Sequence, residues 1–569
     1  MKRNTLFIIA LLAITLSRCL FNMDIQDEGW VLTAYQNIFA HPNAVSYNFL
    51  YYNGVLVGGI WYKLFGGWGL LAFRLLYVLL EFLKALIVYL ILRKYTNKWG
   101  ILIGYALLTL CCAYYNYMDH NQLTSLLCLC AVFMLLRGLE RRKWYYLFAA
   151  GIVVAINVFT RLPNLSLCAL ILVLIPFGIN LKDNKQTWLL LAAAIGGFLV
   201  GCGLELILMC ALGHLHIFFQ NIYSGVAASA DVDSTHNLLT IGQMTLLQWG
   251  EIGFHSAVFM LYIWAVGHLA TTASNHPIKR IAITVCLSLL MLVFIAWQYQ
   301  SALITRLYAI ITIVCIYLIR RETPTLKHIA WAALIMAYTM PLGSDFGYSS
   351  SISYYAIALA FPLVTAYILE KIISQAFKKE TFMLPMAFVL VVVIGVCDTY
   401  RLAKQSTMCF RYITQPEQRY LIHSPLANTF ISNEQFLRLN PLLDELAKYA
   451  DKGDTILCFQ SMPMVHYLTQ TLPYLENPWP WTYTAGDMEQ HFLKAQAQSA
   501  HLPLVVREKG WALDILNIET YSDWDNAFAK ETRYHNNKKI HLIQSFLHDN
   551  EYAVIWEDNA FQLLTPPRK

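Results

Sequence analysis

The sequence predicts an α-helical, polytopic membrane protein of about thirteen spans, followed by a soluble α/β domain. Three observations predict it. The 569 residues are 57% hydrophobic and only 13% charged, with mean hydropathy +0.48, where a soluble chain carries roughly 25% charged residues. Apolar runs of about 17 to 25 residues, the length that crosses a bilayer, recur along the first 397 residues. After Asp398 charges and prolines return, so that 1–397 reads as the membrane domain and 398–569 as a separate folded unit.

The spans are placed at 5–22, 69–92, 99–115, 121–138, 145–160, 165–181, 187–212, 252–272, 281–299, 302–319, 327–341, 352–370 and 381–397. Basic residues gather in alternate connections: Lys2 and Arg3; Arg93, Lys94 and Lys98; Arg137 with Arg141, Arg142 and Lys143; Lys182 and Lys185; Lys279 and Arg280; Arg320 and Arg321; Lys371 to Lys379. The segment from His214 to Glu251 contains neither Lys nor Arg. The positive-inside rule then puts the N-terminus in the cytoplasm, and puts the Asp27–Glu28 loop, the Met118–His120 loop, the 213–251 loop, Gly343 to Ser351 and the C-terminal domain outside. Lys2 and Arg3 before an apolar core fit a signal peptide, but Ser17-Arg18-Cys19 is a poor cleavage site, so the segment is read as an uncleaved first helix.

In the C-terminal part, 436–449 has helical periodicity, 454–459 and 502–506 read as strands, 540–548 as a helix, and 552–556 with 561–564 as a hairpin. Helix and strand alternate, which predicts a small sheet with helices. Eleven of the thirteen cysteines lie in or beside apolar spans, leaving only Cys409 and Cys458 in the polar part, which is no disulfide scaffold. The net charge of +6 is spread over short loops, which argues against nucleic acid as a partner. No GxGxxG, Walker A, HExxH or GxSxG pattern occurs, and no internal repeat stands out.

The candidate chemistry lies between the first two spans, in Asn22 to Gly69. Asp27-Glu28-Gly29-Trp30 opens an aromatic amphipathic run, and paired carboxylates at a membrane surface are costly unless they face water or a site. They serve either as helix N-terminal charges or as a general base with a neighbour that tunes it. Asp119-His120 is the second candidate, either an N-cap or a ligand pair for a divalent cation. Two acidic sites at one membrane face converge if their helices bundle. Arg161 interrupts two apolar spans at the same face, where it either snorkels or binds a phosphate bidentately; Lys63 and Arg306 are further cationic candidates. Arg74, Glu81 and Lys84 lie on nearly one face of the second span and read as an intramembrane charge group that fixes packing. Gly343 to Tyr348 is an outward turn, or a loop suited to a sugar.

These residues carry a resemblance. Asp27-Glu28-Gly29-Trp30 with Tyr35-Gln36-Asn37-Ile38, Gly58-Gly59, Lys63-Leu64-Phe65-Gly66 and Arg74-Leu75-Leu76 resemble the GT-C superfamily of membrane glycosyltransferases, in the branch of protein O-mannosyltransferases and the lipid A aminoarabinose transferase. Asp119 matches the second outer-loop acid of that branch, whereas His120 departs from it. The resemblance covers roughly residues 1 to 180. It implies a GT-C-like catalytic domain in a bacterial inner membrane with a periplasmic C-terminal domain. It further implies inverting transfer of a hexosyl or pentosyl group from a polyprenyl-phosphate donor to a lipid, glycan or protein acceptor. Asp27, Glu28 and Asp119 would then be catalytic, and Arg161, Lys63 and Arg306 would bind the donor phosphate. A divalent metal (Mg, Mn or Zn) is compatible, on Asp119 and His120, and no nucleotide cofactor is expected. Two other classes fit the composition: a transporter or flippase of a lipid-linked sugar, and a non-catalytic envelope glycan-assembly protein.

Overall fold

The computed structural model describes residues 23–111, 117–230, 237–272, 304–344, 346–375, 433–459, 462–499, 501–509 and 536–567, with short pieces besides at 420–421 and 430–431. The expected span at 381–397 and nearly all of those at 5–22 and 281–299 lie outside the described residues, as does Asp345.

A short helix α1 (Asp27–Asn37) leads through a 3-10 stretch (Pro42–Tyr51) into α2 (Tyr52–Phe65). There follow α3 (Leu70–Leu92), α4 (Lys98–Cys111), α5 (His120–Arg141), α6 (Trp144–Thr160), α7 (Leu174–Leu181), α8 (Asn184–Ala211), α9 (Leu215–Ala230) and α10 (Leu238–Thr272). After them come α11 (Ile304–Arg321), α12 (Pro324–Thr339), α13 (Ile352–Ala356) and α14 (Ala360–Gln375). Among the described residues four helices are long and apolar enough to cross a membrane: Leu70–Leu92, His120–Arg141, Leu162–Ile179 and Asn184–Ala211. On α8 the large apolar side chains Leu189, Ile195, Leu199, Leu204 and Ile207 are all exposed, which is the surface a lipid environment requires.

Three expected elements differ. The span at 165–181 begins as a 3-10 helix over Leu162–Val173, started by Pro163, and becomes α-helical only at α7. The outer loop of 213–251 is instead mostly helical, containing α9 and the start of α10. The span at 352–370 is broken between α13 and α14.

Small residues let the helices approach. Gly197 of α8 lies so close to α6 that a Cβ there would come within 1.9 Å of the Phe148 carbonyl oxygen, the close backbone contact that drives helix pairing in lipid. At one end of the bundle Arg137 and Lys94 pair with Glu140 at 2.6 and 3.4 Å. At the other, Arg161 Nη1 donates to the Met340 carbonyl at 2.9 Å, tying the end of α6 to the end of α12.

The C-terminal part holds α15 (Asn433–Leu446), α16 (Met464–Thr469), α17 (Ala485–Gln498) and α18 (Asn536–Asp549). Its strands are the pair β1 (Tyr420–Leu421) and β2 (Phe430–Ile431), then β3 (Thr455–Phe459), β4 (Leu472–Pro473), β5 (Leu504–Glu508), β6 (Ala553–Glu557) and β7 (Phe561–Thr565). The last five form one sheet in the order β4-β3-β5-β7-β6. β3 runs parallel to β4 and β5, while β7 is antiparallel to β5 and β6, so the expected terminal hairpin is present. The two-residue period of a strand divides the sheet's side chains. Leu457, Phe459, Val505 and Leu564 pack with α17 and α18. Ile456, Cys458, Val506 and Leu563 join an apolar cluster that also contains Trp30, Leu32, Tyr35, Phe73 and Tyr117. The domain therefore shares its core with the first loop of the membrane part.

Candidate functional site

The site is built around α1. Gln26 precedes it, and Asp27 and Glu28 occupy its first turn, where the partial positive charge of a helix N-terminus favours acids. Asp27 is half-buried and Glu28 wholly buried. Arg74, also wholly buried and one turn into α3, grips Glu28 in a forked arrangement: Nη2 lies 3.1 Å from Oε2 and 3.2 Å from Oε1, and Nε 3.3 Å from Oε1. Burial raises the Glu28 carboxyl above its ordinary range, and the Arg74 charge opposes that rise. The same carboxylate accepts the Asp24 backbone N–H at 3.0 Å.

Asp24 belongs to the site too, and the sequence reading missed it. Its carboxylate accepts the Gln26 N–H at 2.9 Å and the Tyr117 hydroxyl at 3.4 Å, and burial raises its pKa. Its signal was present: an Asp just ahead of a helix bonds the backbone N–H two residues on, the local turn that Asp favours. Tyr35, two turns further along α1, donates to the Met118 carbonyl at 3.0 Å. Tyr117 and Tyr35 thus hold the Tyr117–Asp119 segment against α1, and the two acidic stretches meet.

Asp119 is the N-cap of α5, accepting the Gln122 N–H at 2.8 Å and the Asn121 side-chain amide at 3.1 Å. Burial pushes its pKa up to about 6, with Lys84 pulling the other way. The His120 ring lies 4.0 Å from that of Tyr51, tilted by 31°. Among the described residues no three His, Cys, Asp or Glu side chains converge on a metal position. Asp119 is engaged by its cap and the His120 ring by Tyr51, and no third such side chain among the described residues joins them.

The three second-span charges do not act as one group. Glu81 pairs with Lys84 and also accepts Gln122 Nε2 at 3.2 Å and the Tyr105 hydroxyl at 3.0 Å, while Lys84 sits 4.6 Å from the Tyr355 ring centroid. Arg74 leaves that group for Glu28. Of the phosphate candidates, Arg161 ends α6 within electrostatic reach of His120. Lys63 is exposed at the end of α2, its amine 3.9 Å from the Phe39 ring centroid. Arg306 is wholly buried in α11.

The C-terminal domain covers α1. Met464 N–H donates to the Ile25 carbonyl at 3.1 Å, Thr33 Oγ1 to the Pro463 carbonyl at 3.3 Å, and Trp30 Nε1 to Asn477 Oδ1 at 3.2 Å. His466, buried in the same α16, is held neutral by burial, with its pKa lowered to about 3. Because the folded value is below the unfolded 6.5, its stabilising contribution is complete above pH 6.5 and is lost as pH falls toward 3. The thermal midpoint of the wild type is therefore expected to fall more steeply over that window than that of His466→Gln, measured side by side in detergent. Parallel slopes would show that the imidazole does not report on this contact.

Residues 55–204 match the family model described as dolichyl-phosphate-mannose-protein mannosyltransferase, which runs from within α2 to within α8. No curated protein matches the sequence. Similar solved structures include an oligosaccharyltransferase from Archaeoglobus fulgidus tethered with an acceptor peptide (14% identity, 98% of this chain and 74% of that one, TM-score 0.42). They also include ArnT from Cupriavidus metallidurans in the apo state (13% identity, 100% and 99% coverage, TM-score 0.44). The same ArnT bound to undecaprenyl phosphate matches at 13% identity over 100% and 99%, with TM-score 0.40. Likenesses this loose transfer neither residues nor ligands.

Proposed function

We propose that the chain is an integral membrane glycosyltransferase of the GT-C type, moving a sugar from a polyprenyl-phosphate donor to a hydroxyl acceptor at the outer face of the membrane. The observation that carries this reading is the mannosyltransferase match over 55–204, to which the acidic α1 is pinned from within by Arg74.

Asp27 is assigned as the base. It takes the proton of the acceptor hydroxyl as that oxygen bonds to the anomeric carbon. The bond from that carbon to the phosphate oxygen breaks from the opposite side, and polyprenyl phosphate leaves with the electron pair. Glu28, already bound to Arg74, sets the position of Asp27 and does not itself take the proton. Asp119 is assigned to orient the segment facing α1, with His120 beside it. Arg161 is assigned to the donor phosphate, whose charge and oxygen geometry a guanidinium matches; Lys63 and Arg306 are secondary candidates for the same charge. The site must exclude water while the donor is bound, or hydrolysis competes with transfer, and α16 lying over α1 supplies a cover. The charge asymmetry of the two bundle ends supports an orientation with this site outside.

The test is transfer from a radiolabelled polyprenyl-phosphate sugar in membranes containing wild type or Asp27→Asn. The expected loss is about 100-fold or more, the scale of a missing general base. Full transfer by a folded Asp27→Asn protein would remove Asp27 from the mechanism. Intact wild type that transfers from no polyprenyl-phosphate donor would instead favour a lipid-linked-sugar transporter.

A further inference from the structure

The C-terminal domain contributes a polar group that nothing in its own fold explains. Tyr467, in the middle of α16, is completely buried, yet its hydroxyl has no hydrogen-bond partner. Its ring packs edge-on to Phe73 of α3 at 6.3 Å, one residue from Arg74. Glu28, Arg74 and Tyr62 all lie within electrostatic reach of it. A second orphan lies on the facing helix. Gln36 of α1 donates through Nε2 to the Tyr62 hydroxyl at 3.2 Å and weakly to the Tyr467 carbonyl at 3.5 Å, while its Oε1, also buried, has no partner.

A buried hydroxyl without a partner is destabilising, and a phenylalanine would fill the same space without that cost. Two orphans, one able to donate and one able to accept, flank the same α1–α16 contact. Such atoms call for an explanation, and a polar guest held between the two helices supplies one for both. The remainder of α16 shows no comparable defect: His466 reaches Thr471 at 3.3 Å and Thr469 reaches the Val465 carbonyl at 2.7 Å.

We propose that Tyr467 is a substrate contact supplied by the C-terminal domain, its hydroxyl donating to an oxygen of the donor's sugar-phosphate head beside the Glu28–Arg74 pair. The inference rests on the glycosyltransferase reading. It gives the C-terminal domain a part in donor recognition in addition to its part as a cover. Gln36 Oε1 accepts from a sugar hydroxyl at the same place, so the two atoms read opposite hydrogen-bonding edges of one head group. Access requires α16 to lift from α1, which makes donor binding and seating of the domain a single event.

The experiment uses the full-length protein in nanodiscs, comparing wild type with Tyr467→Phe, and takes three readings. The first is KM and kcat for a polyprenyl-phosphate sugar. The second is the thermal-midpoint shift produced by that donor, and the third is the midpoint without donor. The expected result is a KM raised roughly tenfold, the value of one lost hydrogen bond, with kcat changed less than about twofold. The donor-induced shift shrinks in parallel, while the ligand-free midpoint is unchanged or higher. Unchanged KM and an unchanged donor shift, with a higher ligand-free midpoint, would overturn the inference and leave Tyr467 as a desolvated orphan only. A variant that loses its ligand-free midpoint altogether would overturn it too, because the hydroxyl would then be structural. Wild type that neither turns over nor binds the donor would defeat the glycosyltransferase reading itself, a failure distinct from the other two.

Discussion

Arg74→Met is expected to leave little folded protein, and to do so before any question of catalysis arises. The Glu28 carboxylate and the Arg74 guanidinium are both wholly inaccessible to solvent, with side-chain exposure of 0% on each side. Removing one partner of a buried ion pair leaves the other charge uncompensated, at about 3–5 kcal/mol, a large fraction of the total stability of a typical domain. Glu28 does not become innocuous by protonating, because it also accepts the Asp24 N–H that shapes the entry to α1. Replacing both partners removes the stranded charge, so Glu28→Gln with Arg74→Met is expected to recover much of the folded fraction that Arg74→Met loses. Size-exclusion profiles and thermal midpoints of the two single variants and the double variant measure this directly. If Arg74→Met keeps the wild-type midpoint, the pair does not hold α1, and the position assigned to Asp27 loses its support.

That pair also shows where sequence reading stops. Arg74 stood out as a cation at the head of an apolar span and Glu28 as an acid after one, so each was legible alone. Their union spans 46 positions and depends on how α1 turns back over α3, which no local pattern encodes. Asp119 was legible as both cap and candidate, because an Asp before an uninterrupted apolar run satisfies the rule for either. Hydropathy located α3, α5, α6 and α8 closely, since length and apolarity are all a span needs. It could not show that Leu162–Val173 is 3-10, because i+3 and i+4 hydrogen bonding use the same apolar residues. The absence of Lys and Arg from 214–251 is a charge signal, and charge says nothing about helix content, so a segment expected to be a loop contains α9. In the C-terminal domain β3 follows from its short apolar run and the β6–β7 hairpin from strand-forming residues at the chain's end, whereas α16 has only six residues, too few for a 3.6 period to register. The helix that covers the site was therefore the least visible of all.

Gly29→Ala is expected to unseat the C-terminal domain, although it adds a single methyl group. A Cβ at Gly29 would lie 2.2 Å from the Met464 nitrogen and 2.4 Å from its Cα. Those are backbone atoms, so no rotamer change relieves the clash; either α16 lifts or α1 shifts. Overpacking of this kind costs typically ~1–3 kcal/mol, and here the lifted segment also gives up the Met464–Ile25 and Thr33–Pro463 hydrogen bonds. Gly67 provides a matched control. It sits in the short 3-10 turn Gly66–Trp68 after α2, and a Cβ there meets nothing within 4 Å. Gly67→Ala should match wild type in thermal midpoint and in the rate at which trypsin cuts the C-terminal part. Gly29→Ala should be cut severalfold faster there while α3, α5 and α8 stay protected by their lipid. If α16 covers the donor as proposed, transfer falls with docking, and a substitution that touches no acid or base reproduces much of the defect of Asp27→Asn. Equal proteolysis of Gly29→Ala and Gly67→Ala would instead mean that α1 gives way without loss, and that the domain's contact with it is not what closes the site.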